Sequence, residues 1–239
     1  MDKLYIIIPA YNEEANIANI VHEWYEVVAK TSELSRIVII NDGSKDSTYK
    51  KLQELHDQFS QMEVITKPNS GHGATILYGY YYALKNNADY IFQTDSDGQT
   101  LASEFGQFWE QRNDFDLLIG NRINRRDGLL RVIVTKILKL ILYLCFHIWL
   151  NDANTPYRLM SRDSLKHCLK LIPDNYYLTN AVLSVVYKKM NFNVVFIPIT
   201  FRQRQGGENH INIKRIFIIG LNSIASFIRI NKSLKKQEQ

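Results

Sequence analysis

The amino-acid sequence predicts an α/β protein: a mostly parallel sheet flanked by helices on both faces, with amphipathic helices towards the C-terminal end. Three observations predict it. Short apolar runs without polar alternation, Leu4-Tyr5-Ile6-Ile7-Ile8 and Ile37-Val38-Ile39-Ile40 among them, suit strands buried on both faces. Segments with helical periodicity lie between these runs, as in repeated β-α-β units. The strand-like runs lead into polar loops, and the C-terminal ends of parallel strands are where such sheets bind ligands.

The elements follow in order. Leu4 to Ile8 is the first strand, which Pro9 is expected to stop. Glu13 to Lys30 is helical, with Ile17, Ile20, Val21, Trp24, Val27 and Val28 on one side. Arg36 to Ile40 is the second strand, closed by Asn41-Asp42-Gly43-Ser44. Asp46-Ser47-Thr48 caps a helix that ends near Phe59. Glu63 to Thr66 is a short strand, Gly71 to Asn86 a helix opened by glycines, and Tyr90 to Thr94 the fourth strand. A helix over Phe105 to Arg112 and a strand over Leu117 to Gly120 complete the first half. Beyond Asn121 the pattern predicts a long helix from Leu129 to Leu150, then a loop from Asp152 to Arg162 leading to a helix through Leu171. A helix over residues 176–190, a strand from Val194 to Phe201 and a final helix from Ile211 to Ile230 follow.

With 239 residues, 46% of them apolar, the chain has material for a substantial core. Its net charge of +5 is uneven. Arg122, Arg125, Arg126, Arg131, Lys136 and Lys139 face a single acid, Asp127, and Arg229, Lys232, Lys235 and Lys236 cluster at the end. Such clusters beside apolar segments suit anionic lipid or phosphorylated ligands, and no nucleic-acid motif accompanies them. Cys145 and Cys168 have no metal or redox spacing and read as core thiols of a reducing compartment. The chain opens directly on a strand rather than a signal peptide, and Leu140 to Leu150 and Ile216 to Ile228 fall short of the ~18 apolar residues of a membrane span. The expected location is cytoplasmic, peripheral at the inner face of the membrane.

Four loops at strand ends carry the chemistry. Tyr90-Ile91-Phe92-Gln93-Thr94 runs into Asp95-Ser96-Asp97-Gly98-Gln99, whose alternate side chains Asp95, Asp97 and Gln99 can converge on a hard divalent cation that holds a diphosphate. In Pro9-Ala10-Tyr11-Asn12-Glu13-Glu14, Tyr11 can stack on a base and Glu13 can accept from base or ribose. Asp42, just past the second strand, suits a ribose hydroxyl or a base N–H. In Asn69-Ser70-Gly71-His72-Gly73-Ala74, Gly71 and Gly73 let a ligand approach the backbone at a helix N-terminus. Each loop taken alone also reads as an ordinary turn or cap. His72 neighbours a ligand loop, His147 sits in an apolar helix, and His210 is either exposed or near phosphate.

Together the four loops resemble family 2 glycosyltransferases with a GT-A (nucleotide-diphospho-sugar transferase) fold, a Rossmann-like, mostly parallel sheet flanked by helices. The likeness covers residues 4 to about 120. The second half is similar to the polyprenyl-phosphate, dolichol-phosphate mannose synthase-like branch. It rests there on Gly120-Asn121-Arg122 with Arg125 and Arg126, on Asp152-Ala153-Asn154-Thr155-Pro156-Tyr157-Arg158-Leu159, and on Phe201-Arg202-Gln203-Arg204-Gln205-Gly206-Gly207-Glu208-Asn209. The resemblance implies a GT-A domain over residues 1–210, with a nucleotide-sugar half (1–120) and an acceptor half (121–210). Residues 211–239 then form an amphipathic helix and basic tail.

The resemblance also implies roles. Asp97, Asp152, Arg122 and Arg204 would be catalytic, the arginines, with Arg126, facing phosphates and Asp152 beside the reaction centre. Pro9, Tyr11, Glu13, Asp42, Gly71, Gly73, Asp95, Ser96, Arg126 and Arg158 would hold the nucleotide sugar. Asp95, Asp97 and Gln99 would hold Mg²⁺ or Mn²⁺. The implied reaction is inverting transfer from a UDP- or GDP-linked sugar to a polyprenyl phosphate or lipid-linked saccharide. A lipid phosphate needs no general base; a saccharide hydroxyl, as in cell-surface polysaccharide synthesis, does, and Asp152 is then the candidate. Amphipathic helices beside basic residues fit a membrane surface; a second copy or a membrane partner subunit competes for them. Two other classes stay open: a nucleotidyltransferase, against which the acidic, glycine-free first loop argues, and a non-catalytic nucleotide-sugar-binding subunit.

Overall fold

Strand β1 (Leu4–Ala10) sets the architecture, because its alternate side chains feed two separate cores. Leu4, Ile6, Ile8 and Ala10 point to one face, and Tyr5 and Ile7 to the other. β2 (Arg36–Asn41) repeats this, with Ile37 and Ile39 on the first face and Val38 and Ile40 on the second. The computed structural model describes residues 2–123, 129–174, 176–204 and 213–235, with side chains described from residue 134 in the fifth helix and over 223–234 in the last.

The described strands form one sheet in the order β3-β2-β1-β4-β6-β5-β7, where β3 is Met62–Thr66, β4 Tyr90–Gln93, β5 Leu117–Ile123, β6 Arg158–Ser161 and β7 Val194–Thr200. All neighbours pair in parallel except β6, which runs antiparallel to both β4 and β5. One face is covered by α1 (Ile17–Thr31), α2 (Thr48–His56) and the short α4 (Gly106–Glu110). Trp24 of α1 is fully buried there, its ring 5.1 Å from Phe92 and 5.8 Å from Tyr157. The other face carries α3 (His72–Lys85), α5 (Leu129–Phe146), α6 (Arg162–Leu169), α7 (Thr179–Lys189) and α8 (Ile213–Lys235). Helix α3 lies so close to β1 that a Cβ at Gly79 would overlap the Ile7 methyl and sit 2.7 Å from Ile40 Cδ1.

Three expectations need correction. Pro9 does not stop β1: the strand runs through it, pairing Pro9 with Ile40 and Ala10 with Asn41. Pairing with β4 has ended by then, at Ile7↔Gln93, so the missing Pro9 N–H costs no ladder bond on that side. The segment read as a loop from Asp152 to Arg162 contains β6, four residues inserted between β4 and β5. The long helix ends at Phe146 rather than Leu150.

Helices α5 and α8 pack together. The Phe146 and Phe227 rings lie 5.6 Å apart and Asn231 Nδ2 donates to Cys145 O at 2.8 Å. The opposite side of α5 exposes Ile137, Leu140, Tyr143 and Leu144, and Trp149 just beyond is 62% exposed. Among the described residues no helix is long and apolar enough to cross a membrane.

Candidate active site

The C-terminal ends of β1, β2 and β4 and the start of α3 enclose a pocket of about 440 Å³. Pro9, Tyr11, Glu13, Asp42, Gly71, Asp95, Ser96, Asp97 and Arg204 line it, so nine sequence-predicted site residues come together. Ala10, Asn69, His72 and Thr75 complete the lining. A larger groove, about 650 Å³, between α1 and residues 101–109 contains none of the predicted site residues.

Local hydrogen bonding builds each wall. Asn12 takes a left-handed backbone (φ 55°), and its side-chain oxygen accepts from Lys45 N–H at 2.8 Å, tying the first loop to the second. Thr48 Oγ1 accepts from Glu13 N–H at 2.8 Å, and Asp46 accepts from Thr48 N–H and Glu14 N–H. Glu13 is buried against Asn16, which donates to it at 2.9 Å, and against Arg204, which donates at 2.5 Å across the pocket. Burial pushes the Glu13 carboxyl above its ordinary range and the Asp97 charge adds to this, while Asn16 and Arg204 oppose.

Asp42 has the opposite balance. Burial pushes its carboxyl up, but Lys67, the Ser70 N–H and the Thr75 hydroxyl outweigh it and hold Asp42 below the usual carboxylate range. Lys67 Nζ pairs with Asp42 Oδ1, which also accepts from Ser70 N–H at 2.9 Å; Oδ2 accepts from Gly71 N–H at 3.0 Å. Asp42 therefore orders the third loop as well as lining the pocket. On the fourth loop, Ser96 Oγ donates to Pro9 O at 2.8 Å and holds that turn against β1. Asp95 Oδ1 is buried without a hydrogen-bond partner among the described residues, 3.5 Å from His72 Nε2.

Other predicted residues stand elsewhere. Gly73 is corrected: a Cβ there would overlap Tyr176 O and sit 2.5 Å from Tyr177 O, so its small size admits the chain before α7, not a ligand. Gln99 lies outside the pocket lining, and its side-chain nitrogen donates to Arg202 O at 3.0 Å. Arg158 is corrected as a nucleotide-sugar contact: it is fully buried and, among the described residues, donates to the Ala153, Thr155 and Asn180 carbonyls and the Ser184 hydroxyl. Arg122 and Asp152 also lie outside the pocket lining, joined by two bonds, Nε–Oδ2 at 2.6 Å and Nη2–Oδ1 at 2.8 Å, with the guanidinium 4.9 Å from the centre of the Phe201 ring. Arg125, Arg126, Asn209 and His210 lie outside the described residues.

The model of the family described as glycosyl transferase family 2 matches residues 5–169, which hold the Arg122–Asp152 pair and every pocket-lining residue but Arg204. The chain belongs to this family. It is a glycosyltransferase. Relatives of this glycosyltransferase include the dolichyl-phosphate beta-glucosyltransferase of Trichomonas vaginalis, 26% identical over 94% of this chain and 73% of that one. The UDP-N-acetylglucosamine--dolichyl-phosphate N-acetylglucosaminyltransferase of Methanococcus voltae is 27% identical over 83% of this chain and 85% of that one. Among solved structures, glucosyl-3-phosphoglycerate synthase from Mycobacterium tuberculosis with Mn²⁺ and UDP-glucose superposes with a TM-score of 0.68 at 14% identity, covering 97% of this chain and 79% of that one. The same enzyme with Mg²⁺ and UDP gives 0.67, again at 14% identity, over 97% and 80% of the two chains. These likenesses bear out the GT-A fold.

Three contributors to this glycosyltransferase's pocket were missed in the sequence. Lys67, the residue after β3, went unremarked; its place at a strand's C-terminal end was the available signal for its pairing with Asp42. Thr75 sits one turn into α3, inside an ordinary helical pattern. His72 was noted as a neighbour by position, and the structure puts it in the lining beside Asp95.

Proposed function

We propose that this glycosyltransferase transfers a hexose, with inversion, from a nucleoside diphosphate donor to a polyprenyl phosphate, using a divalent cation held by Asp95 and Asp97. The observation that carries the reading is the pocket at the ends of β1, β2 and β4, whose lining has an exposed aromatic ring, Tyr11, and four carboxylates, Glu13, Asp42, Asp95 and Asp97. A nucleoside diphosphate brings further negative charge, and unpaired charge is costly to bury. Asp95 Oδ1, buried and without a hydrogen-bond partner among the described residues, fits a cation ligand. Among the described residues no group of three or more His, Cys, Asp and Glu is placed to hold a metal ion, so the diphosphate itself would supply remaining oxygens. When bound, the cation would offset the charge that builds on the leaving diphosphate.

Within that frame the residues divide the work. Tyr11 stacks on the base, Asp42 accepts from base or ribose, and Arg204, bonded to Glu13, presents its charge to a phosphate. A phosphate oxygen of the acceptor attacks the anomeric carbon from the face opposite the diphosphate. That C–O bond forms as the bond to the diphosphate breaks, and the nucleoside diphosphate departs. Arg122 engages both Asp152 oxygens, and a guanidinium so close favours the ionised carboxylate and weakens it as a base toward a hydroxyl acceptor. An acceptor that is already anionic needs no base, and this favours a lipid phosphate over a saccharide hydroxyl. The names of the dolichyl-phosphate relatives point the same way.

We assign catalysis to residues 1–210 and membrane contact to α5 and to residues 211–239. The exposed Ile137, Leu140, Leu144 and Trp149, with Lys136, Arg229 and Lys232 also exposed, suit the cytoplasmic surface of an anionic bilayer. The test is transfer from UDP-glucose, UDP-N-acetylglucosamine or GDP-mannose to dolichyl phosphate with Mn²⁺ or Mg²⁺, with product anomer read by proton NMR. Transfer that is metal-dependent and inverting is expected. Turnover unchanged in Asp95→Ala plus Asp97→Ala, or a retained anomer, would overturn the proposal.

A further inference from the structure

We propose that Arg158 is a positioning residue for transfer: from within the core it pins the chain that carries Asp152, and so fixes the Asp152–Arg122 pair beside the acceptor. The inference rests on the reading above, in which that pair belongs to the acceptor half. Arg158 opens β6 and stands opposite Gln93 of β4 and Ile119 of β5, the strands that lead to Asp95 and Arg122. Its side chain is fully buried. Nε and Nη2 donate to Thr155 O at 3.2 and 2.7 Å, and Nη2 also reaches Ala153 O at 3.4 Å. Nη1 donates to Asn180 O at 3.0 Å and Ser184 Oγ at 3.4 Å. Ser184 Oγ in turn donates to Ala153 O at 3.2 Å, so the residue next to Asp152 is held from two sides.

The chemistry of this cluster argues for placement rather than stability. Among the described residues no carboxylate pairs with Arg158; every acceptor is a neutral oxygen. Burial disfavours its charge, and Tyr80 and Asp152 act in the opposite sense. Around it Gln93 Nε2, Thr155 Oγ1 and Asn180 Oδ1 are buried without hydrogen-bond partners among the described residues. An apolar side chain of similar size would avoid those costs, since a partly satisfied buried network is less stable than an apolar core. What an apolar side chain cannot do is hold two carbonyls of one loop and one of α7 with a single rigid fork.

The test compares wild type with Arg158→Lys and Arg158→Met. Its probes are UDP with Mn²⁺ for calorimetric binding, UDP-glucose or UDP-N-acetylglucosamine with dolichyl phosphate for turnover, and amide hydrogen exchange. Expected in Arg158→Lys is a UDP affinity within about threefold of wild type, a kcat lowered on the order of 100-fold, and faster exchange confined to residues 152–157. Arg158→Met should move the same way and further; should it fail to fold, Arg158→Lys decides alone. Unchanged exchange over 152–157, a kcat within threefold of wild type, or UDP affinity falling in step with kcat would overturn the proposal. Wild type that neither binds UDP nor transfers sugar would instead overturn the assigned reaction, with the exchange pattern still deciding whether Arg158 pins this loop.

Discussion

Replacing Asp42 with Asn should destabilise the fold by about 3 kcal/mol, the low end of the roughly 3–5 kcal/mol for breaking a buried pair. The pair is well enclosed, since only 13% of the Lys67 side chain and 4% of the Asp42 side chain is exposed. Asn keeps one acceptor oxygen and replaces the other with a donor. It then faces either the Lys67 ammonium or the Gly71 N–H with a like group. The low end is chosen because Lys67 retains Ser70 Oγ at 2.5 Å and Pro68 O at 3.3 Å. At roughly 2–4 °C per kcal/mol for a chain of this size, the melting temperature should fall about 6–12 °C. The assay is urea and thermal unfolding of Asp42→Asn, Lys67→Met and the double variant at pH 7. Linkage gives a second signature: the folded carboxyl lies below its ordinary value of 3.8, so its stabilisation is present above that value and is lost as pH falls through the lower folded value. Single-variant losses that add to within about 0.5 kcal/mol would mean the two groups do not interact, and the account of the third loop would be wrong.

Other consequences can be measured directly. Saturating UDP at about 100 times its Kd with Mn²⁺ should stabilise wild type by about 2.7 kcal/mol, and this metal-dependent gain should vanish in Asp95→Asn and in Asp97→Asn. Gly73→Ala must displace the Tyr176 and Tyr177 carbonyls and should cost about 1–3 kcal/mol in a thermal melt, whereas Gly106→Ala, with nothing within 4 Å of the added carbon, should be tolerated. Glu13 has a raised carboxyl, so its stabilising contribution is full below its ordinary value of 4.5 and is lost as pH rises through the raised folded value. Stability of Glu13→Gln relative to wild type should therefore improve over that window in urea unfolding at a series of pH values.

What could be read in the sequence was local, and what could not was made by distant chain. Strands β1, β2 and β4 announce themselves because burial on both faces removes polar alternation, and their loops carry Tyr11, Asp42, Asp95 and Asp97 within a few residues of each strand end. β6 was invisible for a physical reason: it is four residues long and begins with an arginine, which almost always signals solvent. Gly73 was read as room for a ligand because it precedes a helical run, yet its neighbour is chain about a hundred residues later, at Tyr176 and Tyr177. Gln99 fits the alternate spacing of Asp95 and Asp97, and the sequence gives no sign that its amide nitrogen donates to Arg202 O from beyond β7.

The reversed strand also accounts for how two halves of the chain meet at one edge. A parallel strand delivers its following loop to the C-terminal edge of the sheet, and Asp95 after β4 and Arg122 near the end of β5 arrive that way. Asp152 comes after helix α5, on the covered face, and precedes its strand rather than following it. Only a strand running against β4 and β5 brings a preceding loop to that same edge, and β6 does so, pairing Gln93 with Arg158 and Ile119 with Arg158 at its first residue. The antiparallel insertion is thus what lets Asp152 grip Arg122 at 2.6 Å although the two lie 30 positions apart in the chain. Arg158, paired with Gln93 and Ile119 at that junction, donates from its guanidinium to Ala153 O and Thr155 O of the loop that follows Asp152.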